Sequence, residues 1–239
     1  MSDILNRHRE TWNKKKILRE IYTEWYHQII LDLFKGTQKT VELGAGSGNF
    51  KEFKPDVVSA DIDPQPWLDM VFDAHQMPFK NEEIANIVMI DVLHHIPDVR
   101  AFFAEAVRCL KPRGRIAMIE PANTVWSRFI YTNFHHEGFD PQSGWEFESK
   151  GPLSTANGAL PWIIFHRDRT VFESDFPSLK IIKTQFHTPL RYLLSGGFTL
   201  RQLTPSWSYC MVNGLEALLS PLNRWIGMFE TIVVEKNIQ

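Results

Sequence analysis

A chain of 239 residues with 44% hydrophobic and 23% charged residues has an ordinary globular composition, which excludes wholesale disorder and allows one domain with a full core. The formal net charge of −2 gives no general attraction to nucleic acid. Two cysteines, Cys109 and Cys210, exclude a disulfide framework and a four-cysteine zinc site.

The N-terminal residues 1–16 contain no apolar core followed by a small-residue cleavage site, which argues against a secretory signal. No window of the chain reaches about 18 uninterrupted apolar residues, the approximate minimum for a membrane-spanning helix. Together with the low cysteine content, this pattern predicts a soluble, cytoplasmic protein.

Residues 3–35 carry apolar side chains at spacings of three and four, which predicts a helix, and Gly36 is a plausible stop. Short apolar runs follow, and they alternate with helical stretches, of which the clearest is 98–110. The runs are 40–43, 56–60, 69–72, 84–90 and 114–120. Buried runs joined by helices are typical of a parallel sheet wound with crossovers.

The stretch 122–178 breaks this rhythm, since it is rich in Pro, Gly, Ser, Asn and aromatic residues, and it is predicted to form a cap or pocket wall. Strand-like runs return at 179–186 and 229–236, with a largely helical segment between them. The predicted fold is α/β, with a Rossmann-like, seven-stranded, mostly parallel sheet and helices on both faces. The single domain, 1–239, divides into an N-terminal helix (1–36), a core (37–121), an inserted cap (122–178) and a C-terminal part (179–239).

The loop "VELGAGSGNF" at 41–50 is the most informative motif of the chain. A phosphate-binding P-loop would need Lys and Ser/Thr after Gly48, and a dinucleotide loop would need glycine where Asn49 stands. What remains is an acid, Glu42, followed by glycines at alternate positions, which allow a ligand to lie on bare main chain. An acid so close to the turn would repel a pyrophosphate, whereas it suits a ligand with an ammonium and a sulfonium.

This loop resembles motif I of class I S-adenosylmethionine-dependent methyltransferases, and "IDVLHHIPD" (90–98) and "LKPRGRIAMIEP" (110–121) resemble strand ends of the methyltransferase-type-11 subgroup. The similarity covers roughly 36–121 and the strands near 180 and 230. It departs at Arg113, where the family usually has glycine, and this affects a turn more than the site.

The resemblance implies S-adenosyl-L-methionine as the cofactor and makes 37–121 the cofactor-binding core. Asp61 matches the carboxylate that binds both ribose hydroxyls, and Asp73 matches the acid that binds the adenine amino group. The backbone of Ala74 would meet the adenine edge, while Ile62 and Met77 would pack on its faces. The implied cofactor-binding residues are Glu42, Gly44, Ala45, Gly46, Gly48, Asp61, Ile62, Asp73, Ala74, Met77 and Asp91.

Methyl transfer needs mainly alignment of donor and acceptor, and a base only if the acceptor holds its proton at neutral pH. His95, four residues after Asp91, is the leading candidate for that base. The same acid-then-histidine spacing resembles the phosphoethanolamine N-methyltransferases. A helix entrance with one histidine satisfied by backbone is the competing interpretation, and His94 is interpreted as structural. Glu120, at the end of the fifth strand, is a second catalytic candidate.

"HHE" at 135–137 invites a metal interpretation, but adjacent histidines point apart and no further ligands are evident in the sequence. "HRD" at 166–168 lacks the asparagine that a kinase catalytic loop requires. No metal site is predicted.

The acceptor is predicted to be a small molecule rather than nucleic acid, since no motif for a flipped base and no broad basic face occur. The cap and the segment 188–228 are predicted to line an apolar, aromatic or lipid-linked acceptor. Their aromatic residues are Trp126, Phe129, Tyr131, Phe134, Trp145, Phe147, Trp162, Phe165, Trp207 and Trp225. Core and homodimer contacts are the alternative interpretation of these residues, and 207–229 is also consistent with peripheral contact to a membrane interface.

Two other functions stay open from the sequence. A non-catalytic module could bind the nucleoside and use the cap for a protein partner. Nicotinamide-dependent oxidoreduction depends on fold analogy alone and fails the glycine spacing.

Overall fold

The computed structural model describes residues 2–36, 38–148 and 156–238. Within these ranges seven strands form one sheet in the order β3-β2-β1-β4-β5-β7-β6. The strands are β1 (Lys39–Leu43), β2 (Val58–Asp61), β3 (Met70–Val71), β4 (Ile84–Ile90), β5 (Leu110–Pro121), β6 (Leu179–His187) and β7 (Phe229–Lys236). Strands β1 to β5 pair in parallel, while β7 runs antiparallel to β5 and β6. The predicted α/β sheet is therefore confirmed.

Apolar side chains cover both faces of this sheet, because the central strands alternate their residues between two hydrophobic clusters. One face packs on the third helix and on the helical part of the cap. The other face packs on the second helix and the segment after β6. The helices are α1 (Ser2–Lys14), α2 (Lys16–Asp32), α3 (Val99–Cys109), α4 (Val125–Phe134), α5 (Leu160–Trp162), α6 (Arg169–Asp175), α7 (Arg191–Ser195), α8 (Tyr209–Leu219) and α9 (Asn223–Ile226).

The predicted single helix over 3–35 is two helices, and this part of the prediction is wrong. The backbone of Lys15, with φ −97° and ψ 92°, is extended and breaks the helix. The Lys15 ammonium donates to the carbonyl of Gly197 at 2.6 Å and also to that of Leu200. This anchor turns α1 away from the axis of α2, so α1 lies across the carboxyl ends of the strands instead of extending from the core.

The crossovers also differ from the predicted alternation of strands and helices. Between β1 and β5 only one α-helix occurs in these fully described residues, and it is α3. The β1–β2 connection holds a single 3-10 turn, Asn49–Glu52. The glycine loop therefore leads into a short turn, and the carboxyl ends of β1 and β4 are left open to a ligand at the point where the strand order reverses.

The cap is more regular than the sequence suggests. Helix α4 begins at Thr124, whose hydroxyl accepts from the Ser127 amide and forms a capping box. Helices α5 and α6 are joined by one π-helical turn, Ile163–Arg167. Residues 149–155 of the predicted cap lie outside the described residues. Among those that are described, no helix combines the length and the apolar character needed to cross a lipid bilayer.

Candidate active site

A cavity of about 1170 Å³ opens at the carboxyl ends of β1, β2 and β4. The glycine loop and the loop after β4 form one wall. Helix α1 lies opposite and contributes Leu5, His8 and Thr11. The cap contributes residues 135–139, and the segment after β6 contributes Tyr192 and Phe198. This volume is slightly above the usual range for a site that holds one small molecule, so the cavity has room for a cofactor and a second small molecule.

The three glycines of the loop all have left-handed backbone, with φ of 63° at Gly44, 48° at Gly46 and 72° at Gly48. A side chain at Gly44 would place its Cβ 2.5 Å from a methyl group of Val92. Gly44, Ala45 and Gly46 line the cavity. Gly48 does not, since it faces Trp67, whose indole donates to the Gly46 carbonyl at 2.9 Å. The structure thus places Gly48 as a packing residue rather than a ligand contact.

Asp61 at the end of β2 lies at the cavity beside this loop. Its Oδ2 accepts from the Gly46 amide at 2.9 Å and its Oδ1 from the Asp63 amide at 3.0 Å. The carboxylate is therefore held in place by main chain, with its remaining lone pairs available to hydroxyls of a ligand. Ile62 follows it as an exposed apolar side chain at the same wall.

Asp73 and Ala74 also line the cavity, on the far side of Asp61 from β4. Asp73 Oδ1 lies 2.6 Å from His75 Nδ1, so this carboxylate is already oriented by a neighbour. Met77 is placed differently from the prediction: it is buried in the sheet core and does not line the cavity. Its backbone amide is tied to Glu105 at 2.7 Å, which draws the side chain below the site.

Two acids, the buried Glu42 and the partly buried Asp91, form the floor of the cavity. Burial, together with the charge of Asp61, raises the pKa of Glu42 to about 8, although Lys51 opposes the rise. Burial also raises the pKa of Asp91 to about 7; His94 and the Tyr22 hydroxyl, which donates to Asp91 at 3.2 Å, oppose the rise, whereas the Glu120 and Glu137 charges add to it. Glu42 Oε2 is buried without a hydrogen-bond partner among the described residues. A buried carboxylate oxygen of this kind suits a cationic ligand group.

Histidines and carboxylates meet beside this floor. His94 is fully buried, and its Nδ1 donates to Glu120 Oε2 at 2.7 Å. Burial alone would lower the pKa of His94, but its interactions with Glu120 and Glu137 outweigh that effect and raise it to about 10. His95, less buried, lines the cavity next to it. Glu137, from the cap, lies 3.6 Å from His94 and 3.8 Å from His95, a proximity that the 135–137 motif did not indicate.

Glu120, a predicted catalytic candidate, lies behind His94 and not at the cavity. It is fully buried, and its Oε1 accepts from the amides of Val92 at 2.9 Å and Leu93 at 2.7 Å. With His94 on the other oxygen, this carboxylate fixes the loop after β4. Its buried position near the end of β5 corrects the expectation that it touches an acceptor.

The predicted aromatic lining is largely wrong. Of the ten cap and segment aromatics expected there, only Tyr131 lines the cavity within the described residues. Trp145 and Phe165 are buried in the core, and Trp207 is 77% exposed. Other aromatics line the site instead: Tyr22, Tyr26, Phe72, Phe139, Tyr192, Phe198 and Phe229.

Comparison with known proteins agrees with this geometry. Residues 41–118 match the family model described as a methyltransferase domain. Over 120 residues the chain is 26% identical to a demethylmenaquinone methyltransferase of Streptomyces griseus, an alignment covering 48% of this chain and 52% of that protein. The chain thus spans about half the length of the curated relative that it matches.

Solved structures share the whole fold. A SAM-dependent methyltransferase from Archaeoglobus fulgidus superposes with a TM-score of 0.56 at 16% identity, covering 91% of this chain and 94% of that one. The geranyl diphosphate C-methyltransferase of Streptomyces coelicolor A3(2), in complex with Mg²⁺, geranyl diphosphate and S-adenosyl-L-homocysteine, gives 0.51 at 12% identity, covering 92% and 81%. Residues 41–118 thus match a methyltransferase domain, and the whole chain shares the fold of solved S-adenosylmethionine-dependent methyltransferases.

Proposed function

We propose that this chain transfers the methyl group of S-adenosylmethionine to a small molecule bound in the cavity. The observation that carries the proposal is the pairing of Asp61, held on the glycine loop, with the unpartnered buried oxygen of Glu42. The first suits the ribose hydroxyls and the second suits the methionine ammonium. A ligand that joins these two groups spans the floor of the cavity.

The adenosine half would lie toward Asp73 and Ala74, with Ile62 against the adenine. The ammonium would lie over Glu42 and Asp91, so the sulfonium faces the loop that carries His95. This orientation leaves the space between His95 and helix α4 for the acceptor. Because the sulfonium charge fades as the methyl group moves, partial exclusion of water favours the reaction.

The acceptor is proposed to be apolar, aromatic or lipid-linked. Tyr131, Phe139, Tyr192 and Phe198 line the part of the cavity that the cofactor would leave open. The similarity to a demethylmenaquinone methyltransferase supports a ring-bearing acceptor, although it covers only half of each chain. Incubation with labelled S-adenosylmethionine and a set of quinols, phenols and prenyl compounds tests this class; transfer to none of them would contradict it.

A non-catalytic nucleoside-binding module is the competing function. Calorimetry with S-adenosylhomocysteine, followed by turnover on the same acceptor set, separates the two. Binding together with turnover supports the enzyme, and tight binding with a stable protein partner but no turnover on any acceptor supports the module.

Cytoplasmic location, the absence of nucleic-acid binding, a homodimer and peripheral membrane contact stay predictions. Both cysteines are free, as a reducing compartment would leave them. Helix α8 and its flanks expose Trp207, Met211 and Leu218. Sedimentation of the protein alone tests the homodimer, and flotation with vesicles tests the membrane contact.

His95→Ala is expected to lower turnover by about 10²–10⁴-fold if His95 accepts the acceptor's proton in the metal-free protein. Affinity for S-adenosylhomocysteine should stay unchanged, because the adenosine and ammonium sites lie on other residues. Single-turnover methyl transfer and calorimetry measure the two quantities. Unaltered turnover would remove the proton-accepting role from His95.

Cofactor affinity is expected to rise with pH between 6 and 8. Glu42 and Asp91 both hold protons at pH 6 in the cofactor-free protein, since their pKa values are about 8 and about 7. A cationic ammonium favours the ionised carboxylates, so protons leave on binding. The dissociation constant of S-adenosylhomocysteine should therefore fall by up to about tenfold per pH unit for each group still protonated.

Calorimetry in two buffers of different ionisation enthalpy counts the released protons. Glu42→Gln should remove the step near pH 8 and leave the step near pH 7. Affinity that is independent of pH, with no proton release, would contradict the assigned ammonium site.

A further inference from the structure

Two histidines and one carboxylate from distant parts of the chain converge at the cavity wall. His94 and His95 lie in a 3-10 turn after β4, and Glu137 follows helix α4. One ligand atom from each of these residues can be chosen so that all three lie within 4.8 Å of one another. The sequence motif at 135–137 lacked further ligands, and the fold supplies them from the loop after β4.

The distances in this cluster are longer than hydrogen bonds. His94 Nε2 lies 3.6 Å from Glu137 Oε2, and His95 Nε2 lies 3.8 Å from Glu137 Oε1. Ligand atoms at about 2.0–2.1 Å from a tetrahedral zinc ion are about 3.4 Å apart. The two measured distances end at different oxygens of Glu137, and each is within about 0.4 Å of that edge length.

The orientation of His94 also fits a metal ligand. Its Nδ1 donates to the buried Glu120 at 2.7 Å, which directs Nε2 toward Glu137 and the cavity. A carboxylate behind a histidine fixes the ring and its tautomer in most protein sites where histidine binds a metal. Glu120 is held in turn by two backbone amides, so the arrangement is rigid.

We propose that His94, His95 and Glu137 bind one divalent transition cation of the zinc type. Two imidazoles and one carboxylate are a ligand set for such ions, whereas Mg²⁺ and Ca²⁺ prefer oxygen ligands alone. A fourth position faces the cavity. Three protein ligands with an open position are the arrangement of a catalytic rather than a structural ion.

The role of the ion toward the acceptor rests on the proposed function. An acceptor hydroxyl bound at the open position would release its proton to water more readily, because the cation stabilises the oxyanion. In the metal-loaded protein the lone pair of His95 Nε2 is on the cation, so this coordination replaces the proton-accepting role assigned to His95 in the metal-free protein. The metal site itself does not depend on methyl transfer.

Titration of the metal-free, untagged protein with Co²⁺, followed by displacement with Zn²⁺, tests the site directly. We expect one equivalent of Co²⁺ to give visible d–d absorption that Zn²⁺ abolishes. Glu137→Gln and His95→Ala should each weaken Co²⁺ binding by at least about tenfold, and Glu120→Gln by about 10–100-fold through the orientation of His94. His27→Ala, which removes a histidine that packs on Phe53 away from the cavity, is the matched control and should change nothing.

Each variant is checked for S-adenosylhomocysteine affinity, which reports an intact fold without involving the metal. Absence of stoichiometric binding by the wild-type protein would overturn the proposal and leave the cluster as an ion-pair network. Binding that survives both Glu137→Gln and His95→Ala would overturn it as well. A failure of methyl transfer alone would overturn the proposed function but not the metal site.

Discussion

Asp61→Ala is expected to abolish measurable binding of S-adenosylhomocysteine. In the proposed orientation the substitution removes both ribose contacts, and hydrogen bonds to a charged group are worth about 1.5–3 kcal/mol each. Two of them correspond to a loss of about 10²–10⁴ in affinity. The substitution also frees the Gly46 amide, which Asp61 holds at 2.9 Å, so the glycine loop loses its anchor to β2.

Calorimetry measures this effect, with Asp61→Asn as the matched variant. The amide oxygen can still accept from the loop, but the charge is gone, and we expect an intermediate loss of affinity. Thermal unfolding of both variants shows whether the fold is retained. Wild-type affinity in a folded Asp61→Ala protein would remove Asp61 from the cofactor site.

Glu120→Ala is expected to reduce the free energy of unfolding by about 3–5 kcal/mol, the usual cost of leaving a buried charged partner unpaired. The amides of Val92 and Leu93 and the imidazole of His94 all lose their acceptor in the interior. The effect belongs to stability, since Glu120 does not line the cavity.

Urea denaturation measures the change in the free energy of unfolding. Glu120→Gln separates the contribution of the two backbone amides from that of His94. The glutamine oxygen still accepts from both amides, but its NH2 group cannot accept from His94 Nδ1, so one hydrogen bond to a charged group is lost and about 1.5–3 kcal/mol is expected. Glu173→Ala is the surface control, because Glu173 pairs with Arg169 on an exposed helix and contributes about 0.3–0.5 kcal/mol. A Glu120→Ala protein as stable as this control would contradict the role described.

Local patterns in the sequence predicted the sheet and one half of the site. The central strands carry short apolar runs, and the glycines after β1 permit the left-handed backbone that this loop adopts. Asp61, Asp73 and Ala74 follow directly from strand ends, and the carboxyl ends of parallel strands meet at one edge. For these residues the position along the chain nearly determines the position in space.

The other half depends on contacts between distant segments. Nothing near Glu137 indicates that it meets His94, since β5 and α4 separate them along the chain. The break at Lys15 in the N-terminal helix coincides with contacts to the carbonyls of the distant residues Gly197 and Leu200. Composition also misled the interpretation of the cap: aromatic residues such as Trp145 and Phe165 fill the core, because large apolar side chains are most stable there.

Helix α1 covers one side of the cavity, and the chain bends at Lys15, where α1 ends. His8 stacks on Phe198 with 4.6 Å between the ring centroids, and Arg9 lies 4.3 Å from the centroid of the Trp67 ring. These two contacts hold α1 against the rest of the protein. A ligand that enters or leaves the cavity along α1 passes these two contacts. Substitutions in residues 4–14 are therefore expected to change the rate at which a ligand exchanges with the cavity.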